Sequence, residues 1–142
     1  MADLATELAA IVDVSNPWDD HRFDAHFQRA PSITEREERL ELYRSINTEL
    51  GRSNAERIDT ADGVVAVLDG VDVDSGTASE IGYAFARGKH IEGLRTDWRL
   101  AGDNEGSIVN LQVQYFIEAS GGGVHQNRQS LMAALTAWIA GS

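Results

Sequence analysis

The run GVVAVLD, residues 63–69, constrains this chain more than any other stretch: it is apolar without alternation, of strand length, and bounded by Asp62 and Asp69. Such a run suits a strand buried on both faces, as in a parallel sheet. After a polar, glycine-containing loop, TASEIGYAFARG places Ile81, Ala84 and Phe85 on one helical face and stops at Gly88, and KHIEGLR supplies a second short strand. Strand, helix and strand in that order specify a parallel crossover unit.

The remaining segments extend this unit on both sides. In ADLATELAAI the spacing of Leu4, Leu8 and Ile11 predicts a helix, and IVDV predicts a short strand ending at the turn SNPWDD. HRFDAHFQRAPS has no clean period and reads as loop, with a helical piece around Phe23 and Phe27. SITEREERLELYRSINTEL predicts a long amphipathic helix capped by Ser32 or Thr34 and ended by Gly51, with SNAERIDTAD as one more helical stretch. Further on, SIVNLQVQYFIEAS predicts a helix with a strand as its competitor, GGGVHQN a turn or short strand, and RQSLMAALTAWIAG a closing amphipathic helix. The pattern implies one α/β domain over residues 1–142 with a mostly parallel sheet.

Composition narrows the chemistry. A chain of 142 residues, 42% hydrophobic, is large enough to bury one core unaided. With no cysteine, disulfides, thiolate metal sites and a cysteine nucleophile are excluded. Acidic residues number 23 against 12 basic ones, a net charge of -11 that repels phosphodiester backbones and argues against nucleic-acid binding. Lys89 is the sole lysine. No apolar run approaches the ~20 residues of a membrane span, and MADLATELAA lacks the order of a signal peptide, so a cytoplasmic protein is expected.

Ligands of open parallel sheets bind beyond the carboxyl ends of the strands, which makes the loop from Asp69 to Gly76 the leading site candidate. It crowds Asp69, Asp72, Asp74 and Glu80 together, unfavourably unless solvent, a metal or a polar substrate takes up the charge. An EF-hand ending at Glu80 fails at Val71 and Val73, a DxDxT phosphatase strand fails because Thr77 falls one place late, and a phosphate cradle fails for want of a lysine. The cluster suits a neutral polar or cationic ligand. His21, His26, His90 and His125 lack metal-ligand spacing and read as structural or surface residues, so no metal or cofactor is expected. Glu80 carries two readings: the end of a capping box beginning at Thr77, or a carboxylate held ionised by the helix dipole, as suits a nucleophile. Asp69 and Asp72, taken singly, read as solvated turn residues. Gly76 lets a ligand approach the backbone.

With Asp74, Gly76, Thr77, Glu80, Ile81, Gly82 and Ala84 in this frame, ADGVVAVLDGVDVDSGTASEIGYAFARGKHIEGLRTDWR resembles the core of the nucleoside 2-deoxyribosyltransferase family, and the likeness runs from about Asn54 through NLQVQYFIEASGG. The resemblance implies a three-layer flavodoxin- or Rossmann-like domain, here lacking the family's usual N-terminal first strand. It implies Glu80 as a nucleophile toward C1′ of a 2′-deoxynucleoside, in a retaining double displacement that passes deoxyribose to a second nucleobase or to water. Asp74 matches the ligand of the 5′-hydroxyl. Asn110 matches an asparagine lent to that hydroxyl by a neighbouring subunit, so a homo-oligomer is implied. Asn54 stands where the family has an acid near the leaving base, Trp18 where the base pocket is lined, and Asp97 and Arg99 match a loop pair read as an internal brace. The competing readings are a nucleoside-binding or structural paralogue without transferase activity, and a hydrolase of 2′-deoxynucleosides or their 5′-phosphates.

Overall fold

A computed structural model describes residues 3–142. In chain order the elements are α1 (Leu4–Leu8), α2 (Asp24–Arg29), α3 (Arg36–Thr60), β1 (Gly63–Val67), α4 (Ser75–Ala86), β2 (His90–Leu94), α5 (Leu111–Ala119), β3 (Val124–His125) and α6 (Arg128–Gly141), with single 3-10 turns at Pro17–Asp19 and Ala30–Ser32. The three strands form one parallel sheet in the order β1-β2-β3, with Gly63 to Val67 paired to His90 to Leu94 and Gly93–Leu94 paired to Val124–His125. The fold is α/β, Rossmann-like, with helices on both faces.

Alternation along the strands sorts the core into two layers. Val64, Ala66 and Ile91 face one side, where they meet Ile81 and Ala84 of α4 and Val113 and Ile117 of α5. Val65 and Leu94 face the other, against Leu131 and Leu135 of α6 and Leu8 of α1. Each fully buried side chain such as Ile81, Ile91, Ile117 or Leu131 contributes about 1.5–3 kcal/mol relative to exposure. Gly93 leaves room for this packing: a Cβ there would lie 2.7 Å from Leu68 Cδ1.

One strand expectation fails. Residues 11–14 form no strand; the N–H groups of Ile11 and Val12 close the end of α1 on the Leu8 carbonyl, while Ile11, Val12 and Val14 pack on the α6 side of the sheet. β1 also departs from the expected double burial. It pairs only with β2 among the described strands, and Val67 is 50% exposed.

The helix before β1 is longer than expected. α3 runs unbroken through Gly51, which is exposed and ordinary in its surroundings, so the glycine costs entropy without ending the helix. Its N-terminal flank is Glu35 with no side-chain cap; Ser32 instead donates to the Arg29 carbonyl. Its C-terminus is capped by the sole lysine: Lys89 Nζ donates to the carbonyls of Asp59 (2.8 Å) and Ala61 (2.7 Å), where the helix dipole favours a cation. α5 begins at Leu111, four residues later than the segment predicted as helix, because Asn110 caps it.

Behind β2 lies a buried polar node. Glu92, 3% exposed, accepts from Gly123 N (2.8 Å), His90 Nε2 (2.9 Å) and His125 Nε2 (2.8 Å), and His90 stacks on Trp138 with centroids 4.4 Å apart. Both imidazoles thus serve the carboxylate that holds the Gly121–Gly123 turn, as buried charge requires. At Gly122 that turn tolerates no side chain, since a Cβ there would fall 1.8 Å from the Ile91 carbonyl oxygen. Two substitutions therefore move in opposite directions in urea unfolding. Gly51→Ala is expected to stabilise by about 0.5–1 kcal/mol, and Gly122→Ala to destabilise by about 1–3 kcal/mol through forced displacement of β2.

Candidate active site

The loop that leaves β1 is organised before any ligand arrives. Asp74 is the N-cap of α4: its Oδ2 accepts from Thr77 N at 3.1 Å. The expected capping box from Thr77 to Glu80 is therefore absent, because Ser75 and Gly76 already wind as helix and shift the start three residues earlier. Gly76 has a local reason as well. A Cβ there would press 2.9 Å from Asp74 Oδ2, so the room it leaves is used by the capping carboxylate.

Glu80 consequently stands in the second turn of α4 rather than the first. Asn54, from the middle of α3, donates through Nδ2 to Glu80 Oε1 at 3.2 Å. Burial pushes the Glu80 carboxyl above its ordinary value, and the neighbouring Asp74 charge pushes it further. This corrects the expectation that the helix dipole holds Glu80 ionised: Asp74 occupies the helix start, and its charge acts in the opposite sense.

The other acids of the cluster are accounted for individually. Asp69 is a bracket rather than a solvated turn residue: it accepts from Thr96 N (2.6 Å), Thr96 Oγ1 (2.7 Å) and Asp97 N (2.8 Å). Burial raises its carboxyl, but these bonds outweigh it and hold the group below the usual range. Asp72 accepts from Val73 N at 2.8 Å and stays local. Asp97 pairs with Arg99, which lowers its carboxyl strongly, in keeping with the internal brace expected of these two. Asp69, Thr96, Asp97, Trp98 and Arg99 together line an open cleft of about 540 Å³.

Trp18 lies on the 3-10 turn Pro17–Asp19, with Asn16 Oδ1 accepting from its N–H, and its indole is 89% exposed. Sequence patterns did not indicate what holds this turn. The Asp20 side chain is buried between Arg22 and Arg57, which keep its carboxyl well below the usual range; Arg57 also reaches the Asn16 carbonyl, and Arg22 reaches Ser53 Oγ at 2.7 Å. Ser53 and Arg57 flank Asn54 on α3, so the Trp18 turn is moored beside the Asn54–Glu80 pair. The spacing of Ser53, Asn54 and Arg57 on one helix was the available signal. Asn110 is not brought to this pair within the chain. It caps α5, its Oδ1 accepting from Gln112 N (3.0 Å) and Val113 N (3.4 Å), and its carboxamide nitrogen has no described partner.

Among the described residues, no three histidine, aspartate or glutamate side chains are arranged to hold a metal, and no helix is long and apolar enough to cross a membrane. Fold and site together define a parallel α/β protein with a carboxylate–carboxamide pair at the carboxyl end of its sheet. The sequence model of the nucleoside 2-deoxyribosyltransferase family matches residues 4–112, and the chain belongs to that family. No curated protein matches it.

The Glu80 environment yields a direct test. In a carboxyl-carbon NMR titration, Asp74→Asn keeps a capping oxygen, so α4 stays formed, while the Glu80 titration midpoint moves to lower pH yet remains above the ordinary glutamate value because burial persists. An unchanged midpoint would show that Asp74 does not act on Glu80.

Proposed function

We propose that the protein transfers 2-deoxyribose between nucleobases by a retaining double displacement with Glu80 as nucleophile. The observation that carries this reading is the Asn54–Glu80 hydrogen bond, which fixes one carboxylate oxygen and leaves Oε2 to attack. In the first step Oε2 forms a bond to C1′ of a 2′-deoxynucleoside as the bond from C1′ to the base nitrogen breaks. The base departs with that electron pair and takes its proton from water, since the Asn54 carboxamide cannot supply one. In the second step a nitrogen of the incoming base attacks C1′ from the vacated face, the ester to Glu80 breaks, and the acceptor's displaced proton passes to solvent. Water in the acceptor position gives hydrolysis by the same path.

Glu80 must be ionised to attack. Its raised value therefore places the acidic limb of the rate profile above the ordinary glutamate range, with activity rising as pH rises through it. Asp74 uses Oδ2 for the helix cap and keeps Oδ1 for the 5′-hydroxyl; its charge disfavours a 5′-phosphate. Trp18, exposed on its turn, covers the base in this reading. Asn110 reaches the 5′-hydroxyl of a neighbouring copy in a homo-oligomer, a reading supported by the exposed Leu111 and Tyr115 that follow it on α5.

The test is a transfer assay with thymidine or deoxyinosine and free adenine, followed by chromatography. Wild type is expected to form the new nucleoside, Glu80→Ala to form none, and rapid denaturation of wild type with donor alone to leave a deoxyribosyl adduct on the peptide carrying Glu80. Asn54→Asp, which supplies a proton donor but sets a second charge beside Glu80, is expected to move the acidic limb to higher pH. Absence of turnover and of adduct with every deoxynucleoside would overturn the reading.

A further inference from the structure

The largest fully buried side chain among the described residues is a cation. Arg95, 1% exposed, lies just past β2, with its main-chain N–H extending the ladder to the His125 carbonyl at 2.8 Å. Its guanidinium meets no carboxylate among the described residues. Nη1 donates to the Leu68 carbonyl, Nη2 donates to the carbonyls of Gly70 (3.1 Å) and Arg99 (2.8 Å), and the buried Nε has no partner. Burying a cation on carbonyl dipoles alone is costly, and a fold that needed only apolar volume here would use methionine or leucine.

The positions of those carbonyls explain the arrangement. Leu68 and Gly70 stand on either side of Asp69, whose carboxylate crosses the other way to the backbone of Thr96 and Asp97. The loop after β2 thus grips the loop after β1 by a side chain, and is gripped in return. Gly70, at φ 130°, lets the chain turn between the two grips. Four residues on comes Asp74, the cap of α4, which carries Glu80. A planar guanidinium can hold three carbonyls in one fixed geometry, which an ammonium on a flexible stem does less well.

We infer that Arg95 is a positioning residue: with Asp69 it fixes the loop between β1 and α4, and so sets where Asp74 and Glu80 stand relative to the bound sugar. The inference rests on Glu80 as nucleophile. Misplacement of a reacting group by about an ångström costs about 100-fold.

The test compares Arg95→Met, Arg95→Lys and Asp69→Asn with wild type in steady-state transfer kinetics and in native hydrogen exchange. Arg95→Met is expected to lower kcat about 100-fold with KM changed much less, and Arg95→Lys to recover part of the loss. Amides of residues 68–74 and 96–101 are expected to exchange about tenfold faster in Arg95→Met and Asp69→Asn, with α5 and α6 unaffected. Where Arg95→Met does not fold, Arg95→Lys and Asp69→Asn decide by the same two readouts. Unchanged exchange in both loops, or faster exchange spread over the whole chain, would overturn the proposal. A wild type that turns over no deoxynucleoside would sink the nucleophile reading and with it the catalytic consequence, while the exchange pattern would still decide whether Arg95 holds the loops.

Discussion

The carboxyl ends of β1 and β2 are joined by an exchange of side chain for backbone: Asp69 reaches across to Thr96 and Asp97, and Arg95 reaches back to Leu68 and Gly70. Parallel strands need such a device at this end. Their ladder stops at Val67 and Leu94, and the loops beyond would otherwise expose unpaired backbone groups at the point where the chain must become rigid. Each grip places a full charge against peptide dipoles, and charge-assisted bonds of this kind are roughly twice as strong as neutral ones. The cap at Asp74, the helix that carries Glu80 and the cleft beside Trp98 all adjoin this junction.

The same junction explains how four acids share one loop. Asp69 accepts from donors of the adjacent loop, Asp72 from its own following N–H, and Asp74 from the start of α4. Glu80 receives one donor, the neutral Asn54 carboxamide, and burial raises its carboxyl. At Glu80 burial and the neighbouring Asp74 charge therefore outweigh that one hydrogen bond. A carboxylate left under-compensated holds its electrons in the more reactive form once ionised, which is what a nucleophile needs.

Much of this was legible in the sequence because it is local. The apolar run at 63–69 marked β1, the spacing of Ile81, Ala84 and Phe85 marked α4, and the loop between them was legible as the candidate site. Where reading failed, a distant partner decided. IVDV has strand composition, but strand formation depends on an available neighbour, and these residues are drawn onto α6 and α1 instead. Thr77 has the right offset to cap with Glu80, yet the helix starts three residues earlier and Asp74, as its N-cap, takes that N–H. The Arg95 and Asp69 grips span more than 25 residues and leave no periodic trace, so nothing in LRTDWR distinguished Arg95 from any strand-end arginine.

α3 shows how a tolerated defect serves the site. An exposed glycine at 51 is the usual place to end a helix, and an ending there would have turned Asn54 away from α4. The helix beyond Gly51 is held by tertiary bonds: Arg57 and Ser53 bind the Asp20–Arg22 turn, and Asp59 binds Tyr83 of α4 and Arg87 just past its end. For Asp59, burial works against ionisation, but the Tyr83 and Arg87 bonds prevail and lower its carboxyl. Those tertiary bonds outweigh the entropic cost of one glycine, about 0.5–1 kcal/mol. The Asn54 carboxamide reaches Glu80 as a result. The longest helix thus holds the moored turn of Trp18 on one side and the Glu80 carboxylate on the other.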